Sequence, residues 1–238
     1  MKNIKIVLAV LLILVFGVSG ASAVLIDLYD WAFNLNGTVY RSPDIYSGPD
    51  TNQLPNSIDD SGFDWSHGYQ DGGGIGTIKI TYDPGTAGTF FVFGFFDIEI
   101  DESLNTYFNE GGGFSLSETP AAGQSWEIDD PFYGDIVDHV YDTPLDNLNE
   151  APAPLDDVSM AMGWSFDLSN VGDKAIMEFV LGNTEPTSGF YLGHRDPDSG
   201  SIICLSSTLD IQPIPEPGTI LLVGTGLAGL AGWRRRRS

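Results

Sequence analysis

The sequence predicts an all-β fold, an antiparallel β-sandwich of jelly-roll-like type, and three observations predict it. Several runs alternate apolar and polar residues with a period of two, as a strand with one buried face requires. Clusters of Gly, Asn, Asp and Pro separate these runs, and no amphipathic helical period stands between them.

In chain order, Lys2 and Lys5 precede an apolar run from Ile6 to Phe16, and Ala21-Ser22-Ala23 has the small-x-small pattern of a signal peptidase site. Residues 1–23 are therefore expected to be a signal peptide, with the mature chain starting near Val24. Residues 24–212 are expected to form one β-sandwich ectodomain and residues 213–238 a separate tail. Val24 to Phe33 is the candidate first strand, and Arg41 to Gly62 is irregular.

GIGTIKITY alternates Ile78, Ile80 and Tyr82 with Thr77, Lys79 and Thr81. The turn residues of DPGTAG then lead into TFFVFGFFDIEI, rich in aromatic and β-branched side chains. A second irregular stretch runs from Asp129 to Asp157. In VSMAMGWSFDL, Val158, Met160, Met162, Trp164, Phe166 and Leu168 share one side; SNVGDK follows, then AIMEFVL, and the two runs are predicted to pair as a hairpin. SIICLSSTLDI is the last predicted strand, with Ile203, Leu205, Leu209 and Ile211 on one face.

Between Val24 and Pro215 the only Lys and Arg residues are Arg41, Lys79, Lys174 and Arg195. Of the 33 acidic residues all but Glu216 fall in this part, which leaves it a formal charge of −28. Such a field repels phosphate backbones and anionic lipid, so nucleic acid is excluded as a partner, while cations and neutral polymers remain. Cys204 is the single cysteine, so no intrachain disulfide forms, and a buried thiol is expected.

The tail reads IPEPGTILLVGTGLAGLAGWRRRRS. Its uncharged run, residues 218–233, is expected to be a short transmembrane helix of about 24 Å against a bilayer core of ~30 Å. Pro215 and Pro217 stop helix from extending upstream, and Arg234, Arg235, Arg236 and Arg237 hold the other end in the cytoplasm. Gly224, Ala228 and Gly232 form a small-residue stripe for close helix packing.

Pro215-Glu216-Pro217, the apolar run and the arginine cluster together resemble the PEP-CTERM sorting segment, also called an ice-binding protein C-terminal domain. The resemblance covers about a tenth of the chain. It implies that an exosortase, an integral-membrane cysteine protease-like enzyme, recognises the tail after export and cleaves near Pro-Glu-Pro. It further implies transient anchoring in the inner membrane and delivery to the cell surface or extracellular matrix. DIEIDESLNTYFNE, GQSWEID and DDVSMAMGW also resemble a β-rich ectodomain often attached to such tails, a resemblance that adds nothing about catalysis.

No nucleophile elbow, zinc-binding histidine pair or phosphate-cradling loop is present, and His67, His139 and His194 are far apart in sequence. The expectation is a non-enzymatic structural or matrix protein, with a carbohydrate-binding module as the alternative. Asp97, Glu99 and Asp101 share one strand face, where three like charges need either solvent or a bridging cation; calcium is the candidate cofactor, and a solvated face the competing reading. Trp65, Trp126 and Tyr133 lie in or beside predicted loops and are candidates for stacking on extracellular polysaccharide, against a role as core or loop anchors. DPDSG superficially resembles a calcium loop, but Gly200 replaces a ligand and Ser207 stands where the closing Glu belongs.

Overall fold

The computed structural model describes residues 25–42, 54–66, 70–71, 73–100, 109–115, 118–142, 144–151, 155–214 and 222–227. The expected signal peptide, Asp101 and His67 lie outside these residues, as does the tail apart from 213–214 and 222–227.

The described residues of the body form twelve strands and a short helix: β1 (Leu25–Leu35), β2 (Thr38–Arg41), β3 (Ile58–Phe63), β4 (Gln70–Asp71), β5 (Gly76–Tyr82), β6 (Gly88–Ile100), β7 (Gly111–Phe114), β8 (Gln124–Asp129), α1 (Ile136–Asp142), β9 (Ser159–Leu168), β10 (Lys174–Gly182), β11 (Tyr191–Arg195) and β12 (Ile202–Gln212). They build two antiparallel sheets. The first has the order β2-β1-β6-β9-β8, with β4 also on β1; the second has the order β3-β5-β10-β12-β11-β7. Their inner faces meet in one core that includes Phe33, Phe96, Met160 and Met162 from the first sheet and Ile78, Ile80, Phe179 and Leu205 from the second. The all-β expectation holds.

Local chemistry sets the details. Asn36 (φ 51°) and Gly37 (φ 91°) occupy the left-handed region at the β1–β2 turn, as a tight hairpin demands. Gly94 faces the inter-sheet core, where a Cβ would sit 3.2–3.3 Å from the rings of Phe179, Phe33 and Phe96. The second sheet keeps its outer side polar, with Lys79 3.3 Å from Glu178 and Lys174 3.0 Å from Asp83.

Three expectations need correction. The predicted hairpin of VSMAMGWSFDL with AIMEFVL does not form: β9 pairs β6 and β8 in one sheet, whereas β10 pairs β5 and β12 in the other. Their connection is an arch between sheets, and β5–β6 is another. An arch and a hairpin need the same turn residues, so composition does not separate them. The stretch Arg41 to Gly62 contains most of β3, and Asp129 to Asp157 contains α1.

The third correction concerns Asp97 and Glu99. Every residue of β6 from Val92 to Ile100 is enclosed, with Asp97 fully buried and Glu99 only 5% exposed, so the solvated-face reading fails for these two. The outer face of the first sheet is covered as well as the inner one. Ala32, Phe93, Phe95 and Ala161 pack there against Ile136 and Val140 of α1 and Leu145. Asn34 fastens the helix by donating from Nδ2 to the carbonyls of Val140 (2.7 Å) and Tyr141 (3.1 Å), a C-terminal cap supplied by a strand.

Candidate functional site

Alternation along β1, β6, β8 and β9 carries one set of side chains to the outer face of the first sheet. The half beneath α1 is apolar; the other half is acidic, built from Asp30 on β1, Asp97 and Glu99 on β6, Glu127 and Asp129 on β8, and Asp157 just before β9. All six are buried. One oxygen each from Asp97, Glu99 and Asp157 lie within 4.8 Å of one another.

Burial holds the Asp97 carboxyl well above the usual carboxylate range, reinforced by Asp157, Glu99, Asp30 and Glu110. Burial also pushes Asp157 up to about 7, with Glu110 and Asp130 adding to the rise. Glu127 is lifted to about 7 by burial, against the opposing pull of His139, whose Nδ1 lies 2.9 Å from its Oε2. Asp129 and Asp130 are otherwise engaged. Asp129 accepts from the backbone N–H of Asp130 and of Asp135, and Asp130 from those of Phe132 and Tyr133, each at 2.8 Å, so both shape the approach to α1.

The predicted aromatic residues separate. Trp126 is buried between Phe114 (ring centroids 4.8 Å apart) and Phe190 (5.5 Å), so it is a core residue and its assignment to glycan stacking is withdrawn. Its alternation with Ile128 in QSWEID places it on the inner face. Tyr133 is 91% exposed, beside Phe132 at 61%. Trp65 is half-buried and stands 5.3 Å from Trp31, with Nε1 donating to Asp60 Oδ2 at 2.9 Å. Trp31, Leu54, Asn56, Ile58, Asp60 and Trp65 line an open cleft of about 450 Å³. Trp31 was not singled out in the sequence because it sits inside the first strand; a β-bulge between Leu28 and Asp30 turns it to the inner side, toward the cleft.

His194 and Cys204 have structural settings. His194 is fully buried and bonds Glu110 through Nε2. Cys204 is buried, its thiol pushed up to about 11 chiefly by burial, in keeping with an inert side chain. DPDSG closes on itself: Asp196 accepts from the backbone N–H of Asp198 (2.8 Å) and Ser199 (3.0 Å). That is turn chemistry.

The tail continues directly from β12. Ile214 donates its backbone N–H to Asp173 Oδ1 at 3.0 Å, which ties it to the β9–β10 connection. Residues 222–227, Gly224 included, are helical and exposed. No helix among the described residues is long and apolar enough to cross a membrane. Pro215, Glu216, Pro217, Ala228, Gly232 and Arg234 to Arg237 lie outside the described residues.

No curated protein and no solved structure matches this chain. A family model described as the PEP-CTERM protein-sorting motif matches residues 213–237, which include Pro215-Glu216-Pro217 and all four arginines. An exported chain whose last β-strand runs straight into that motif, with exosortase recognition and transient membrane anchoring implied by it, is a PEP-CTERM sorting domain-containing protein.

Proposed function

We propose that this protein is a non-enzymatic structural component of the cell surface or extracellular matrix, released from the inner membrane by exosortase cleavage near Pro215-Glu216-Pro217. The sorting motif at residues 213–237 is the observation that carries this reading. The two-sheet body supports it, because a rigid, strongly acidic β-sandwich resists collapse and stays soluble in a polymer matrix. Fractionating the exporting host and weighing the mature protein tests it. The expected product is shortened at both ends and lies outside the inner membrane. Changing Pro215, Glu216 and Pro217 to alanine is expected to leave a full-length, membrane-bound chain, since the apolar run and its arginines survive. Equal processing of the triple variant would reduce the tail to a simple anchor.

The Trp31–Trp65 cleft favours carbohydrate binding as a second reading. Two indoles offer apolar faces to a sugar ring, while Asp60 and Asn56 at the same cleft offer acceptors and donors to hydroxyls. The protein's charge selects neutral glycans over acidic ones. On a glycan array, a retained neutral ligand should be lost with Trp65→Ala and kept with Tyr133→Ala. No retained glycan would leave the matrix role alone.

A further inference from the structure

We propose that Asp97, Glu99 and Asp157 form a buried binding site for one calcium-sized divalent cation on the outer face of the first sheet. Three oxygens within 4.8 Å of one another fit around a single ion with bonds of about 2.4 Å, since two ligands on opposite sides of such an ion stand at most about 4.8 Å apart. The donor set is entirely carboxylate. That chemistry suits a hard cation and disfavours the soft metals that seek thiolate or imidazole.

A cluster of acids alone is common on an acidic protein, but this one has a further property. Asp97 is completely buried, and neither of its oxygens receives a hydrogen bond from any described residue; Oδ1 of Asp157 is also buried without a donor. The neighbouring acids are occupied in other ways. Glu110 accepts from the backbone N–H of Ile100 (3.2 Å) and binds His194, and Asp30 accepts from the Ser42 hydroxyl at 2.6 Å. A carboxylate sunk among carboxylates with its lone pairs unused lacks the compensation that buried charges require.

Like charges this close repel strongly once water is excluded, so three ionised groups cannot persist unaided. Protons or a cation must neutralise them. Protons shared between neighbouring carboxyls use these lone pairs in twos, whereas one divalent ion occupies all the inward-facing lone pairs together. Placement also favours an ion: β6 and β9 are adjacent strands with Asp97 opposite Ser159, so Asp97 and Glu99 are held by the sheet, and Asp157, two residues before Ser159, is brought beside them before any ion arrives.

Calcium binding to the protein purified from its exporting host, measured by equilibrium dialysis and by melting temperature in calcium, magnesium or chelator, tests the site. One saturable calcium per chain and a higher melting temperature in calcium than in chelator are expected, with a smaller effect of magnesium. Asp97→Asn should weaken binding by at least about tenfold and remove the melting response. In chelator it should melt no lower than the native protein, because it deletes an uncompensated charge. Asp210→Asn, an exposed change on the second sheet, should bind as the native protein does. Should Asp97→Asn fail to fold, Asp157→Asn serves the same comparison. Absence of saturable binding, equal melting in calcium and chelator, equal response to magnesium, or binding unchanged in both ligand variants would each overturn the proposal.

Discussion

Buried Glu127 and half-buried His139 form a pair whose protonation couples to stability. Burial lifts the Glu127 carboxyl from 4.5 to about 7. Burial pulls His139 down, but Glu127, Asp135 and Asp146 outweigh it and hold the imidazole above its ordinary 6.5. Both groups bind protons more tightly in the folded chain than in the unfolded one. Their contribution is complete at low pH and is lost as the pH rises, for Glu127 through about 7 and for His139 above 6.5. Melting in chelator between about pH 5 and pH 8 should therefore fall less for Glu127→Gln than for the native protein. Equal falls would show that the pair does not titrate in this window. None of this was visible in the sequence, where Glu127 is one acid among many and His139 lies 12 positions away. Spacing reveals a face of one element, whereas this pair is made by a strand and a helix meeting.

At the scale of elements, legibility followed exposure. Strands β5, β10 and β12 turn one side to water, and their alternation identified both their existence and their buried residues. Strand β6 is enclosed on both faces, with Phe93 and Phe95 under α1 and Asp97 and Glu99 buried beyond it, so its alternation alone does not separate a solvated face from a covered one. The helix has seven residues and only Ile136 and Val140 are buried in it, too brief a pattern for a period to show. The cover matters energetically despite its length. Val140→Asp would put an unpaired charge against Phe93 and Phe95 and should cost about 3 kcal/mol or more in urea denaturation. Tyr133→Ala, at the exposed approach to the helix, should change stability by less than about 0.5 kcal/mol. Similar values for the two would mean that α1 is an ornament of the sheet and no part of its core.

For the whole molecule, the arches and the position of β12 have a joint effect. Strand β12 lies between β10 and β11, so the second sheet cannot close until the last residues of the body are available. The sorting motif begins at residue 213, immediately after Gln212, and Ile214 is already tied to Asp173. No spacer separates body and signal. Along β9 the chain runs about 30 Å from Ser159, beside the acidic cluster, to Leu168, beside the tail-bearing end. Trp31, opposite Phe96, lies at the level of Met160, toward the same remote end. The sandwich is thus a polarised pillar. Its β5–β6 and β9–β10 arches stand at the end from which the tail departs, and the aromatic cleft and the acidic cluster are borne at the opposite one, so whatever holds the tail is kept a strand's length from whatever those sites meet.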